Sequence, residues 1–519
     1  MLSTAKDCFE LKEMAVIMQP ASDDVAVAKR AIAAGTILRY AQTTIEVKGD
    51  IPAGQRLALR DIPAGELIRQ YGYPFAQSKG IKKGELIALG NTANKVPDPD
   101  LSVYREPPPT RINDEDARRT FMGYRRKNGC GTRNYYLIIP ASMCASETAL
   151  QAALCLEGSG ILGKYPNVDG IVALPHSEGC GCDSGLPIDR LLLVLKGYLR
   201  HPNAAGCLLI DLGCEQSNRE KLRGYLADTV KQGLKPLDWI TIQDSGGTRL
   251  AIERAKELVA SRLPELNRAR REALPISGLI LGTECGASDS FSGITANPLI
   301  GSVADKVICA GGAAILSEIT EMVGTFQMLL PRFRNMATAR AFQRIMQWYA
   351  GLAQRMGLSL EPNLVPKNIE GGLINNYIKS LGAVIKGGTT VIEDVVDYAQ
   401  PLRRKGLTIM QGPGNDPESV TGLVAGGANI ICFSTGKGTV TGDAICPVIK
   451  ISSNAETFRK LPEDMDFDAS RMLEKGSSPE GLSQELFQLV IDVASGRKTW
   501  SEKWKQRQFQ VWSAGKLSL

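Results

Sequence analysis

The chain is punctuated by short, unbroken apolar runs, each of which ends abruptly in a loop of small and polar residues. Leu279-Ile280-Leu281 gives way to Gly282-Thr283-Glu284-Cys285-Gly286-Ala287-Ser288-Asp289-Ser290. Gly170-Ile171-Val172-Ala173-Leu174 leads into Pro175-His176-Ser177-Glu178-Gly179-Cys180-Gly181-Cys182-Asp183. Runs of this kind are too short for buried helices and lack the in–out alternation of a half-exposed sheet. They read as parallel strands buried on both faces. An open parallel sheet gathers its ligands outside the carboxyl ends of its strands, where these polar loops fall.

The other runs extend the pattern. Tyr135-Tyr136-Leu137-Ile138-Ile139 and Cys207-Leu208-Leu209-Ile210-Asp211 are strands, with helix-like segments at Thr148–Leu156, Asp189–Leu199 and Arg219–Lys231, and another opening near Ser245 and running from Arg249 to about Arg262. A second series places strands at Gly278–Leu281, Val307–Ala310, Thr390–Glu393, Leu407–Met410 and Ile430–Phe433, with a long helix within Pro331–Met356. Ahead of both, the phrases Ala33-Ala34-Gly35, Ile51-Pro52-Ala53-Gly54 and Ile62-Pro63-Ala64-Gly65 recur, fainter at Ile81-Lys82-Lys83-Gly84. Pro and Gly make each a tight turn between short strands. The expected fold is therefore α/β: a small N-terminal β domain over 12–90, a Pro-rich linker over 91–120, and two α/β domains with mostly parallel sheets, over 121–275 and 276–519, the last with a helical tail.

Several function classes are disfavoured. The net charge is +6 over 519 residues, and Lys and Arg are scattered among acids rather than striped with aromatics, so nucleic acid is not an expected partner. No stretch approaches the length of a membrane span, and the N-terminal residues lack a signal-peptide core, so no membrane partner is expected and the expected compartment is the cytoplasm. The 12 cysteines are then expected to be reduced, as core residues, metal ligands or catalytic groups. A chain of this size is expected to form a symmetric homo-oligomer.

The chemistry-bearing residues sit in the strand-end loops. Cys144, Cys180, Cys214 and Cys285 all follow apolar runs. Each either packs as a small hydrophobe or serves as a soft ligand for iron or zinc, and three at one site can hold an iron–sulfur cluster. Cys8, Cys130, Cys155, Cys207, Cys309, Cys432 and Cys446 read as core or bystander residues, and the Cys180-Gly181-Cys182 spacing matches no zinc-finger pair. Of the 2 histidines, His176 shares a loop with Glu178 and Cys180 and is a candidate ligand or general base, whereas His201 reads as a helix-terminal surface residue. The loops Ser288–Pro298, Gly412–Asp416 and Ser434–Thr439 carry hydroxyls, amides and carboxylates that either cap helices or cradle an anionic polyol. Glu318 and Glu321 are either metal or proton acceptors or first-turn helix charges. No phosphate-binding glycine fingerprint is present, which disfavours a nucleotide enzyme.

Taken together, these stretches resemble the altronate/galactarate dehydratases, hydro-lyases of sugar acids. The turn-rich module over 12–90 looks like their SAF domain, a β-clip fold. Gly123-Tyr124-Arg125-Arg126-Lys127-Asn128-Gly129 followed by Gly131-Thr132-Arg133-Asn134 resembles the opening of their main domain. Gly179-Cys180, Leu212-Gly213-Cys214-Glu215, Glu284-Cys285-Gly286-Ala287-Ser288-Asp289, Ser292–Pro298 and Phe433–Gly438 are also similar, and Pro413-Gly414-Asn415-Asp416 is nearer the altronate branch. The resemblance implies loss of water from a 2,3-dihydroxy acid to give a 2-keto-3-deoxy acid, with divalent iron (Fe2+) as cofactor, manganese (Mn2+) as a substitute, and an iron–sulfur cluster left open. It implies a small sugar acid as partner. Removing the proton α to a carboxylate builds an enediolate, whose charge a Lewis-acidic metal stabilises while a base and an acid handle the protons.

Carried onto this chain, the ligand candidates are His176, Cys180 and Cys285, with Cys144 and Cys214 behind them. His176, Asp289, Glu318 and Lys437 are the catalytic candidates, and Ser288, Asn297, Asn415 and Thr435 the candidates for reading substrate hydroxyls. Three positions depart from the family: Gln19 stands where a His is common, Ile369 aligns with a Lys, and Val440 replaces a Pro. These departures keep open a galactarate dehydratase, a sulfolactate-type sulfo-lyase, or a non-catalytic sugar-acid-binding paralogue.

Overall fold

A computed structural model describes residues 8–181, 185–217, 219–360 and 364–513. Cys182 and Asp183, quoted above, and Asn363 lie outside them.

The N-terminal strands, from Cys8–Glu10 to Thr92–Ala93, form two three-stranded sheets and one four-stranded sheet. The repeated turns behave as their residues dictate. Gly84 takes φ +87°, and a Cβ there would collide with the Glu46 carbonyl oxygen, so a side chain is excluded both by conformation and by space. The module does not stand apart. Its core residues Val25, Phe75 and Ile87 belong to one apolar cluster with Ile294, Leu373, Ile378 and Leu381 of the last domain.

The first α/β domain is built on a four-stranded parallel sheet in the order Gly170–Ala173, Tyr135–Pro140, Ala204–Asp211, Leu237–Thr241. Helices Met143–Gly158 and Thr248–Leu266 pack on one face, and helix Leu186–Arg200 on the other. The strand Leu237–Thr241 escaped the sequence reading because Asp238 and Trp239 break its apolar run. A small antiparallel sheet of Thr120–Arg126, Gly129–Gly131 and Glu272–Pro275 closes the domain at its boundary with the next.

The last domain carries a seven-stranded, all-parallel sheet in the order Ile392–Val396, Gly406–Met410, Ala313–Leu316, Ile280–Gly286, Ile430–Thr435, Val448–Ser452, Phe467–Asp468. One expected element is corrected. Val307–Ala310 is no strand; Val307 to Cys309 end the helix Ala296–Cys309, whose buried Leu299, Ile300, Val303, Ala304 and Val307 recur at helical spacing. The strand is the next run, Ala313–Leu316, after a turn at Gly311 and Gly312. The tail helix Pro479–Ala494 covers this sheet, and Phe509, Val511 and Trp512 return to the apolar cluster between the two α/β domains. No helix among the described residues is long and apolar enough to cross a membrane.

Candidate active site

Both parallel sheets present their carboxyl ends as loops that carry titratable groups. On the larger sheet the central strand Ile280–Gly286 buries Thr283, Glu284 and Cys285 completely or nearly so. Strand alternation sends Glu284 and Cys285 to opposite faces. Glu284 accepts a hydrogen bond from Ser419 Oγ at 2.7 Å. Cys285 faces the loop after Ala313–Leu316, where Glu318 adopts φ +66°, a left-handed conformation that only a well-held non-glycine residue keeps. This turn points the Glu318 carboxylate back at the strand. Its Oε2 accepts from the Cys285 backbone N–H at 3.0 Å and from Lys386 Nζ at 2.6 Å. Lys386 Nζ also lies 2.8 Å from Cys285 Sγ, and the thiol reaches Glu321 Oε2 at 2.9 Å. Lys379 pairs with Glu321 Oε1 at 2.7 Å.

The environment pushes these groups apart. Burial and the neighbouring Glu318 hold Glu284 far above the usual carboxylate range, which favours its neutral form; burial raises Glu318 too, although Lys386 opposes the rise. Glu321 is held below its ordinary value because Lys379 and Lys386 outweigh the cost of burial. Cys285 is pushed well up by burial and the adjacent carboxylates and is a thiol. Lys386 is held well above its ordinary value by Cys285 and the surrounding carboxylates and stays an ammonium. At the rim Asp416 is pushed up to about 7 by burial and by Glu318 and Glu321. A neutral acid, an ionised carboxylate and a fixed ammonium side by side make a proton-transfer apparatus.

Cys285, Glu318 and Glu321 place one ligand atom each within 4.8 Å of one another, a grouping able to hold a metal ion. Its charges argue against a resident divalent ion in this arrangement. The carboxylates of Glu318 and Glu321 are already balanced by Lys386 and Lys379, and Lys386 Nζ bridges the thiol and Glu318 where an ion ligated by both would sit.

The smaller sheet gathers a second group. Cys144, Cys180 and Cys214 follow its three neighbouring strands, and the thiols of Cys144 and Cys180 hydrogen-bond. His176 lies in the same region, with Nδ1 accepting from the Glu178 N–H at 3.2 Å and Nε2 3.0 Å from the Pro140 carbonyl oxygen. Both ring nitrogens are thus engaged by backbone, which makes His176 an anchor of its loop. The ligand candidates therefore divide between the two sheets: Cys285 belongs to one, and Cys144, Cys180, Cys214 and His176 to the other.

A cavity of about 600 Å³ lies between the domains. Helix Leu186–Arg200, which follows the Cys180 loop, lines one side; Asp397, Tyr398 and Gln411, at the carboxyl ends of two strands of the larger sheet, line the other. Arg190 is 6% exposed, stacks 3.8 Å over Trp512, and leaves Nη1 without a hydrogen-bond partner.

The remaining candidates fall as follows. Asp289 is buried and accepts from Ser292 N–H at 2.8 Å, Ser453 Oγ at 2.8 Å and Asn454 Nδ2 at 3.0 Å, so it brackets its loop to the turn after Val448–Ser452. Asn297 is likewise spent, donating to Gly382 O at 2.8 Å and accepting from Ser434 Oγ at 2.6 Å. Ser288 is buried, and its carbonyl accepts from Asn368. Thr435 is buried and accepts from the Gly438 N–H at 3.0 Å. Asn415 is exposed at the start of helix Asp416–Ala425, and Lys437 is exposed on its loop. Of the catalytic candidates Glu318 alone joins the Cys285 cluster. His201, expected at the surface, is instead buried, with Nε2 3.0 Å from the Ala428 carbonyl oxygen. Lys386, Lys379 and Arg190 were not singled out in the sequence, and Glu284 stood there only as part of its strand-end motif, with no role of its own. Lys386 carried a signal, a single charge ending the apolar stretch Leu381-Gly382-Ala383-Val384-Ile385.

Comparison with known proteins agrees with this layout. Family models match in three consecutive pieces: the altronate/galactarate dehydratase SAF domain over 14–95, the D-galactarate dehydratase/altronate hydrolase second domain over 123–267, and the D-galactarate/altronate dehydratase C-terminal domain over 276–517. The chain is 33% identical over 506 residues to an altronate dehydratase of Bacillus subtilis (strain 168), covering 95% of this chain and 97% of that one. It is 32% identical to an altronate dehydratase of Escherichia coli (strain K12), covering 95% and 98%. It is 31% identical to the galactarate dehydratase (L-threo-forming) of the same strain, covering 89% of each. With near end-to-end similarity and all three domains in the same order, the chain belongs to the altronate/galactarate dehydratase family.

Proposed function

We propose that this protein is a hydro-lyase that removes water from an altronate-like sugar acid to give a 2-keto-3-deoxy acid, with divalent iron as cofactor and manganese as its substitute. The observation that carries the hydro-lyase reading is the Cys285–Glu318–Glu321–Lys386 cluster at the carboxyl end of the larger sheet, in a chain similar from end to end to two altronate dehydratases; the iron is proposed from the family resemblance and not from this charge-balanced group. The overall change is balanced within the substrate. The C2–H proton goes to a base, its electron pair forms the C2=C3 bond, and the C3 hydroxyl leaves with a proton from an acid as water. The enol then takes its proton at C3 and becomes the 2-keto product.

The residues suit these duties. Glu321, whose pKa is lowered by the lysines, suits accepting a proton, and Glu284, whose pKa is raised by burial, suits donating one. Lys386 offers a fixed positive charge to the enediolate. Arg190, at the wall of the interdomain cavity and with one buried nitrogen unpartnered, is the cation proposed to meet the substrate carboxylate. When bound, iron supplies Lewis-acid stabilisation of the developing charge. Cys285, Glu318 and Lys386 are 1%, 0% and 1% exposed, so the group is closed off from bulk water.

The test is an anaerobic assay, with ferrous iron added, of altronate, galactarate, galactonate and sulfolactate for 2-keto product. Keto-deoxy acid from altronate, abolished by a chelator, is the expected result. Turnover of galactarate or sulfolactate alone would move the substrate assignment to those branches. Binding of a sugar acid without turnover would establish the non-catalytic alternative.

A further inference from the structure

We propose that Ser419 is a positioning residue for the buried acid Glu284: its hydroxyl, held in turn by Ser317, occupies Oε2 of that carboxyl and leaves the acidic proton on Oε1. This rests on reading Glu284 as the proton donor of a hydro-lyase, and it names the oxygen that gives the proton up.

Helix Asp416–Ala425 packs against Ile280–Gly286, the central strand of the larger sheet. Asp416 and Ser419 are three residues apart and share the helix face turned to that strand. A Cβ on Gly286 would collide with Asp416 Oδ2, and Ser419 Oγ lies 2.7 Å from Glu284 Oε2. Ser419 Oγ is also 3.3 Å from the hydroxyl of Ser317, the residue before Glu318. Gly412 leaves room for this contact, since a Cβ there would collide with the Ser317 oxygen. Glu284, Ser317 and Ser419 are all shut away from solvent. Glu318 borders the same place. The Cys285 N–H that its Oε2 accepts at 3.0 Å belongs to the peptide joining Glu284 to Cys285.

The surroundings of Glu284 suit a neutral acid. Among the described residues its side chain has Ser419 as its hydrogen-bond partner and no ion pair, and Lys386 is paired with Glu318 instead. A buried carboxylate answered by a single hydroxyl would be left uncompensated. Burial and Glu318 favour the neutral form, Lys386 opposes them, and Asp416 adds to the rise.

The place of the proton follows from counting hydrogens. A neutral carboxyl has one O–H and one carbonyl oxygen, and each serine has one O–H that turns either way. With the proton on Oε2, Glu284 would donate to Ser419 and Ser419 to Ser317. The Ser317 hydrogen and the Oε1 carbonyl would then both be buried without a partner. With the proton on Oε1, Ser317 donates to Ser419 and Ser419 to Oε2, and only the hydrogen of the acid is unmatched. Unmatched buried polar groups are costly, which favours the second arrangement. Oε1 indeed has no hydrogen-bond partner within the fold. It is a donor whose acceptor arrives with the substrate. In the proposed reaction that acceptor is the departing C3 hydroxyl, which takes the Oε1 proton and leaves as water, while Glu284 keeps the electron pair as a carboxylate.

The experiment is infrared difference spectroscopy of the full chain, wild type minus Glu284→Gln, with the anaerobic dehydratase assay beside it. The expected spectrum holds one carboxylic-acid C=O band, at the position of a hydrogen-bonded carbonyl. Ser419→Ala, measured against its own Glu284→Gln counterpart, removes that hydrogen bond and should move the band to higher frequency. Ser419→Thr keeps a hydroxyl and should keep the band in place. Ser419→Ala should also lower kcat about tenfold to a hundredfold, a part of the roughly 10²–10⁴ that a general acid supplies, with KM within about twofold. Ser419→Thr should recover most of that loss. A merely structural role would lower the urea midpoint without moving the carbonyl band. No carboxylic-acid band, or a wild-type band already at the free-carbonyl position, overturns the proposal even if the Ser419 variants fold poorly. Dehydration by wild type with neither band nor kcat changed in Ser419→Ala defeats it and leaves the hydro-lyase reading standing. A wild-type protein that dehydrates none of the acids defeats that reading, and with it this role of Ser419, even if the band shifts.

Discussion

The ammonium of Lys386 lies 2.8 Å from the thiol of Cys285, with both side chains shut away from solvent. Such a contact is costly unless the charge is answered, and Glu318 answers it at 2.6 Å. Removing the ammonium therefore has two consequences. Glu318 is left buried and unpaired, which costs about 3–5 kcal/mol of stability. A charge positioned to stabilise an enediolate is also lost, and removing one such donor lowers kcat by about 10²–10³. Lys386→Met is expected to show both, the first as a lower urea midpoint and the second in steady-state kinetics. Turnover within twofold of wild type would remove Lys386 from the chemistry.

Asp416 gives the cluster a pH dependence. Its pKa is raised from 3.8 to about 7, mainly by burial and then by Glu318 and Glu321. The folded protein thus keeps a proton that the unfolded chain gives up above 3.8. The stability this group contributes is complete below the unfolded value and is lost as pH rises through about 7. Asp416→Asn cannot ionise, so its unfolding midpoint should fall less than that of wild type between about pH 5 and pH 8. Parallel curves would mean that Asp416 titrates normally.

Arg190 is expected to act on binding rather than on the chemical step. Its guanidinium is buried against Trp512, Trp348 and Tyr398 at the wall of the interdomain cavity, with one nitrogen unpartnered. A hydrogen bond from the planar guanidinium to a carboxylate is not reproduced by the ammonium when Lys replaces Arg. Arg190→Lys should raise KM by about tenfold, equivalent to one charge-assisted hydrogen bond, with kcat little changed. A fall in kcat at constant KM would place the residue among the reacting groups instead.

The architecture was legible because parallel strands and amphipathic helices leave one-dimensional marks. The helix at Arg219–Lys231 was placed to the residue, and four of the five strands expected in the larger sheet are there. Val307–Ala310 failed because an apolar helix end and a short strand look alike without knowledge of the turn between them. The site was legible only in part. Cys285, Glu318 and Glu321 stood out by type and loop position, but Lys386 and Lys379 enter from a helix and its continuation whose apolar faces dominate the local sequence. Nor did the sequence separate His176 and Cys180 from Cys285, since which strand ends converge is decided by sheet order.

The motif Gly131-Thr132-Arg133-Asn134 serves stability. Arg133 is buried and forms a two-pronged pair with Glu502, at 2.6 Å from Nε and 2.8 Å from Nη2, while Nη1 donates to Val493 O at 2.8 Å. It thereby fastens the opening of the first α/β domain to the tail. Glu502→Ala leaves the guanidinium unpaired and should cost about 3–5 kcal/mol, read as a lower denaturant midpoint with KM unchanged. The paired change to apolar residues of similar volume should restore most of it. A loss below about 1 kcal/mol would mean that water reaches the pair, as at a surface bridge.

Arg56 holds the N-terminal module against the larger sheet through neutral partners. It is 1% exposed, donates to Gln70 Oε1 at 2.6 Å and to Ser290 Oγ at 3.1 Å, and reaches the Gly372 carbonyl. Burial lowers its pKa to about 10, so it remains charged at neutral pH and its hydrogen bonds are charge-assisted. Two of these partners, Ser290 and Gly372, belong to the last domain, next to Asp289 and Gly371. Arg56→Met keeps the packing volume and removes the donors, each worth about 1.5–3 kcal/mol. The module should then loosen first. We expect faster proteolysis in the exposed linker around Glu106-Pro107-Pro108 and a separate low-temperature unfolding step, with the main transition in place. A single unshifted transition with unchanged proteolysis would show that the apolar contact of Phe75 and Ile87 with Leu373 and Ile378 holds the module on its own.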